Sequence, residues 1–93
     1  MNNRVKEWQG FSEKVLNHIE NYTIKQYGDL PDDQAVQWNA EDCIKQIQKY
    51  CNRHGKNRRT GQDSLDMLKI AHYAAIALNK IEDLKYEDWI SNV

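Results

Sequence analysis

Residues 62–84, QDSLDMLKIAHYAAIALNKIEDL, decide the fold. Between Ile70 and Leu78 they read IAHYAAIAL, apolar on nearly every side of a helix drawn through them, with no glycine or proline to interrupt it. A helix that is apolar all round has to be surrounded by others. The stretch is therefore expected to be the central element of an all-α fold, with the rest of the chain supplying its neighbours.

Upstream, Ala40, Cys43, Ile44, Ile47, Tyr50, Cys51 and His54 fall at three- and four-residue steps and predict a helix over 40–54. Asn39 is a good N-cap, Asp42 three residues later approximates a capping box, and Glu41 favours the positive end of the helix dipole. Gly55 supplies a residue able to take the left-handed conformation that ends a helix. Further back, Val5, Trp8, Phe11, Val15, Ile19 and Tyr22 form one stripe and predict a first helix over about 3–20, which Gly10 weakens without breaking.

Residues 21–38 between these two helices hold the only proline, a YGD turn signal and no sustained period. They read as a long connection with one short extended piece at Tyr22–Tyr27, packed down by Tyr22, Tyr27 and Trp38. Beyond the third helix, KYEDWISNV carries Tyr86 and Trp89, aromatics outside the helical stripes that suit interface anchors. The expectation is one domain over 1–93, of three principal helices, completed by self-association because a core this small leaves only a few kcal/mol in hand.

Composition limits the function classes. The chain has 93 residues, 40% hydrophobic and 29% charged, ordinary for a globular protein and too apolar for disorder. Thirteen Lys and Arg against fourteen Asp and Glu give a net charge of −1, so no overall field draws a nucleic acid or a membrane. Nucleic acid is the less favoured partner on this ground. No stretch is long and apolar enough to span a membrane, and the start, MNNRVKEWQGF, lacks the apolar region of a signal peptide, so a cytoplasmic location is expected. Cys43 and Cys51 stand eight residues apart on one helix, about 12 Å. That is too far for a disulfide, and no CxxC or HxxxH accompanies them, so both read as small core residues rather than zinc ligands.

The one charge asymmetry is local. Residues 43–62 carry Lys45, Lys49, Arg53, Lys56, Arg58 and Arg59 and no acidic residue. Lys45, Lys49 and Arg53 lie four apart on one helix face, and the other three extend them into the loop. Cations near a helix C-terminus complement its dipole, but six exceed what a cap requires. An anion, most plausibly phosphate, suits Arg as a bidentate fork and Lys as a point charge. The third helix begins at the same loop, and its first N–H groups face the same region. Asp66, Lys69 and Tyr73 share a face of it, and in a hairpin Arg53 and Asp66 could pair across the neck. Read as structure, that pair is a salt bridge holding the hairpin. Read as function, it is a carboxylate opposite a phosphate wall, with Mg²⁺ as its cofactor if nucleotide chemistry occurs. No P-loop precedes a helix, and His18, His54 and His72 are too scattered for a helical metal pair.

Lys49, Tyr50, Arg53, Gly55 and Lys56, followed by Asp66, Leu68, Lys69 and Tyr73, resemble the KYxxRxGK and DLxKAxxYL pattern of a small phage and prophage family described as nucleotide-kinase-like. The resemblance covers roughly residues 40–80. It departs where Met67 splits the Asp-Leu pair and where Ile70 and Ala71 replace the Lys-Ala order. It implies nucleotide binding by a helical protein without a P-loop, with Lys49, Arg53, Lys56 and Arg58 on phosphates, Tyr50 or Tyr73 near base or sugar, and Asp66 orienting Arg53. A fainter likeness joins DSLD to the second half of the metal motif of MazG-like all-α NTP pyrophosphatases, whose first half is absent here. Whether such a protein is an enzyme stays open. The alternative is a non-catalytic interaction protein, either an adaptor or a sponge that sequesters a signalling nucleotide in host defence.

Overall fold

The structure, a computed structural model, describes residues 2–28 and 38–82, Tyr27 by its backbone alone. It is all-α, with no strand among the described residues. The chain divides into two compact units, Met1–Val36 and Gln37–Val93. No helix of the described residues is long and apolar enough to cross a membrane. Tyr86 and Trp89, read above as interface anchors, lie outside the described residues.

In the first unit, α1 spans Asn3–His18 and is capped by the Asn2 side chain, which accepts from the Val5 backbone N–H at 2.9 Å. The helix does not end near residue 20. It passes into a π-helical segment, Ile19–Thr23, and then into α2, Ile24–Tyr27, so the short extended piece expected at Tyr22–Tyr27 is helical instead. The reason is a change of period. A π turn closes i to i+5, as the Ile24 N–H does on the Ile19 carbonyl, and the extra residue rotates every later side chain out of the α stripe. His18, buried at the junction, stacks on Tyr22 with ring centroids 5.0 Å apart. The N-terminal part of the α1 stripe is exposed, Val5 by 40% and Trp8 by 63%, while Phe11, Val15 and Ile19 are half-buried.

The second unit is an αα-hairpin. Helix α3 spans Ala40–Asn52, and its capping box is complete: the Asn39 side chain accepts from the Asp42 N–H at 3.0 Å, and the Asp42 carboxylate accepts from the Asn39 N–H at 2.9 Å. Helix α4 spans Gln62–Ile81. Between them Gly55 and Gly61 both hold left-handed backbone, φ +79° and +83°, which an L side chain would strain. The core of the hairpin is Cys43, Tyr50 and Ala77. Trp38, Tyr73 and Tyr50 form a continuous row across it, with centroid distances of 5.9 Å and 6.1 Å, pairings worth about 0.5 to 1.5 kcal/mol each beyond the area they bury.

Two expectations change here. Cys51 is exposed, not a core residue, because it lies one position past Tyr50 and has turned out of the α3–α4 contact. Helix α4 is not enclosed by the described residues: one side packs on α3, while Leu78 and Ile81 are more than half exposed.

Candidate functional site

The turn between α3 and α4 is built around one carboxylate. Asp66, in the second turn of α4, is 1% exposed and sits opposite the C-terminal end of α3. Arg53, the C-cap residue of α3, reaches across and donates twice, Nε to Oδ2 at 2.7 Å and Nη2 to Oδ1 at 2.5 Å. Gln62 Nε2 donates to Oδ1 at 2.8 Å, and Asn57 Nδ2 donates to Oδ2 at 3.2 Å. Asn57 Nδ2 also donates to Asp63 Oδ1 at 2.6 Å, and that oxygen takes the Gly55 N–H at 3.4 Å, with His54 Nδ1 3.9 Å away. The loop is thus tied at both ends to the first two turns of α4.

Four donors on two oxygens use about all the lone-pair capacity a carboxylate has. The fork of Arg53 and the two amides hold the Asp66 carboxyl well below the usual carboxylate range, against desolvation, which pushes it upward. Asp66 in turn raises the pKa of Arg53 further. A metal ion at Asp66 would have to displace one of these donors. Among the described residues no group of three or more His, Cys, Asp or Glu side chains is placed to hold a metal.

The aromatic residues of the expected site are packed inward. Tyr50 is 7% exposed, with Tyr73 against it. Three cations surround its ring: Lys49 Nζ and the Arg53 guanidinium at 4.8 Å from the centroid, and Lys69 Nζ at 5.4 Å, all within cation–π range. Tyr50 therefore joins the two helices, and its faces are occupied by protein.

Outside this knot, α3 presents a shallow open groove of about 600 Å³ lined by Lys45, Gln48, Lys49, Asn52, Arg53 and Lys56. Its walls hold four cations and no acid. Lys45, Lys56, Arg58 and Arg59 are exposed and make no ion pair among the described residues.

Of the residues singled out from the sequence, Lys49, Tyr50, Arg53, Asp66, Lys69 and Tyr73 come together on the α3–α4 contact. Lys56 joins Lys49 and Arg53 along the groove. Arg58 stands exposed on the loop, with no contact among the described residues tying it to the others. Asn57 and Gln62 were missed, although both hold Asp66. Gln62 carried a signal, since an amide four residues before an aspartate on a helix is a known pairing. Comparison with known protein families, characterised proteins and solved structures finds no match.

Proposed function

We propose that the α3–loop–α4 unit binds a nucleotide or other phosphate-bearing ligand through its basic groove. The observation that carries this reading is the groove lining, where Lys45, Lys49, Arg53 and Lys56 stand together and Asp66, held by Arg53, is the one carboxylate in contact with them among the described residues. Arg53 contributes from a fixed position: Asp66 takes two of its five N–H donors and leaves the rest for an anion. The resemblance to the phage nucleotide-kinase-like family, carried by Lys49, Arg53, Lys56 and Asp66, supports the same reading.

A thermal-shift screen of mono-, di-, tri- and cyclic nucleotides, with and without Mg²⁺, tests it, because a ligand that binds only the folded state raises the melting temperature. Binding that is lost in Lys49→Ala supports the site. No shift with any nucleotide or with tripolyphosphate at millimolar concentration in low salt, where such contacts are strongest, refutes it.

One observation favours the second reading, a non-catalytic adaptor for an acidic protein partner. The groove is open along its length, and a small molecule would be covered on one side only. Self-association is proposed alongside either reading, supported by the exposure of Trp8, Leu16, Leu78 and Ile81. Light scattering at micromolar concentration should then give a mass above 11.0 kDa.

A further inference from the structure

The groove's shape and the placement of the aromatics narrow the class of phosphate ligand. Lys45, Lys49 and Arg53 repeat at every turn of α3, and from first to last span about 12 Å at 1.5 Å per residue. Lys56 carries the line into the loop. Glu41, one turn before Lys45, marks its end. The strip is longer than the reach of one phosphate, and a nucleoside triphosphate would engage only part of it. Over 12 Å of axis, one strand of a duplex presents three to four phosphates, at about 3.4 Å each.

The second observation is what the strip lacks. A mononucleotide site needs a surface for the base, and single-strand binders stack bases on exposed aromatic rings. Tyr50 is buried, its ring surrounded by Lys49, Arg53, Lys69 and Tyr73, and Tyr73 is also stacked on Trp38. The groove lining contains no aromatic residue. Between the cations stand Gln48 and Asn52, neutral amides of the kind that donate to phosphate oxygens alongside Lys and Arg.

We infer that the Lys45–Lys49–Arg53–Lys56 strip of α3 docks on the phosphate backbone of double-stranded nucleic acid without reading its sequence. This rests on the phosphate reading of the groove and names its ligand as a polymer. Of the acidic residues nearest in sequence, Asp42 is held in the capping box, Asp63 by the turn and Asp66 by Arg53, which leaves Glu41 exposed at the end of the strip.

Fluorescence anisotropy of the full chain tests it, with a labelled 20-bp duplex in two unrelated sequences, the matching single strand, ATP, tripolyphosphate and polyglutamate. The expected result is that both duplexes bind alike, with log affinity falling against log salt at a slope of about −2.7 to −3.6 for three to four engaged phosphates, a loss of about 40- to 150-fold between 50 and 200 mM salt. Lys45→Ala and Lys56→Ala should each reduce the slope by about 1, whereas Lys14→Ala, an exposed cation on α1, should leave it unchanged. If ATP or tripolyphosphate binds in a Lys49-dependent way and the duplex does not, the inference is overturned while the phosphate reading stands. If nothing phosphorylated binds at 50 mM salt, both fall. Single strand binding tighter than duplex, a slope unchanged in both lysine variants, or polyglutamate binding as well as DNA would each overturn it too.

Discussion

Replacing Asp66 by alanine removes the acceptor of four hydrogen bonds and leaves the Arg53 fork, Gln62 and Asn57 facing a cavity. Taking one partner from a buried pair costs about 3 to 5 kcal/mol. Here the Arg53 side chain is already 36% exposed and regains water easily, which lowers the expected loss to about 2 to 4 kcal/mol. A chain of 93 residues has roughly 5 to 14 kcal/mol of total stability, so this one substitution takes a large share. The melting temperature should fall by roughly 10 to 30 °C. Urea unfolding followed by circular dichroism reads the same loss as a lower midpoint at constant slope.

The pH dependence isolates the charge. Asp66 has a folded-state pKa below its unfolded value of 3.8, so its contribution is complete above that value. It is lost as pH falls from about 4 toward the depressed folded value, where the unfolded chain takes up a proton that the folded chain does not. The stability gap between wild type and Asp66→Asn should therefore be constant from pH 7 to about 5 and shrink below 4. A gap that does not narrow down to pH 2, or a loss under about 0.5 kcal/mol for Asp66→Ala at pH 7, would refute the view that this carboxylate organises the turn.

Gly10 lies inside α1 with no heavy atom within 4 Å of where a Cβ would stand, so Gly10→Ala should raise stability by about 1 kcal/mol in denaturant titrations; a decrease would mean that the position is crowded. Asn39→Ala removes the side-chain half of the α3 capping box and should lower the urea midpoint by the equivalent of about 1 kcal/mol. Thiol titration with an aromatic disulfide at pH 8 should find one fast cysteine and one slow one. Cys51 is exposed, whereas Cys43 is fully buried and its thiol pKa is raised by that burial, so Cys43 should react only as the hairpin opens. Cys51→Ser should abolish the fast phase alone.

The helices that are legible from the sequence are those whose apolar residues keep a single period. Helix α3 announces itself by both ends, Asn39 with Asp42 at the start and Gly55 after the finish, and α4 by an uninterrupted apolar run. Residues 21–27 are not legible as helix, because the three- and four-residue periodicity is lost where the backbone passes through the π turn. Ile19 and Ile24, the pair joined by the π turn, are five apart and so fall off a three- and four-residue stripe. The Arg53–Asp66 pair was foreseeable from hairpin geometry, since the two residues flank one turn. Gln62 has the i, i+4 spacing to Asp66 that favours an amide–carboxylate pair, but Asn57 sits in the loop, where an amide can serve as donor or acceptor almost anywhere and nothing in its identity selects a partner.

The distribution of partners over the six cations has a chemical consequence that their number alone does not carry. Arg53 is the groove's only guanidinium, and it directs Nε and Nη2, one edge of its fork, at Asp66. The pair is neutral as a unit, and Lys49 is partly engaged with the Tyr50 ring. The unneutralised charge that a ligand meets is then carried chiefly by Lys45 and Lys56, and by Arg58 and Arg59 on the loop. Lysines act as mobile point charges without the planar geometry that selects one oxyanion over another. Recognition built on them gains its strength from released counterions and is correspondingly salt-dependent. A site of this make-up discriminates weakly among phosphates by shape and strongly by how many can be engaged at once. For the proposed phosphate site this predicts a preference for extended polyanions over compact ones.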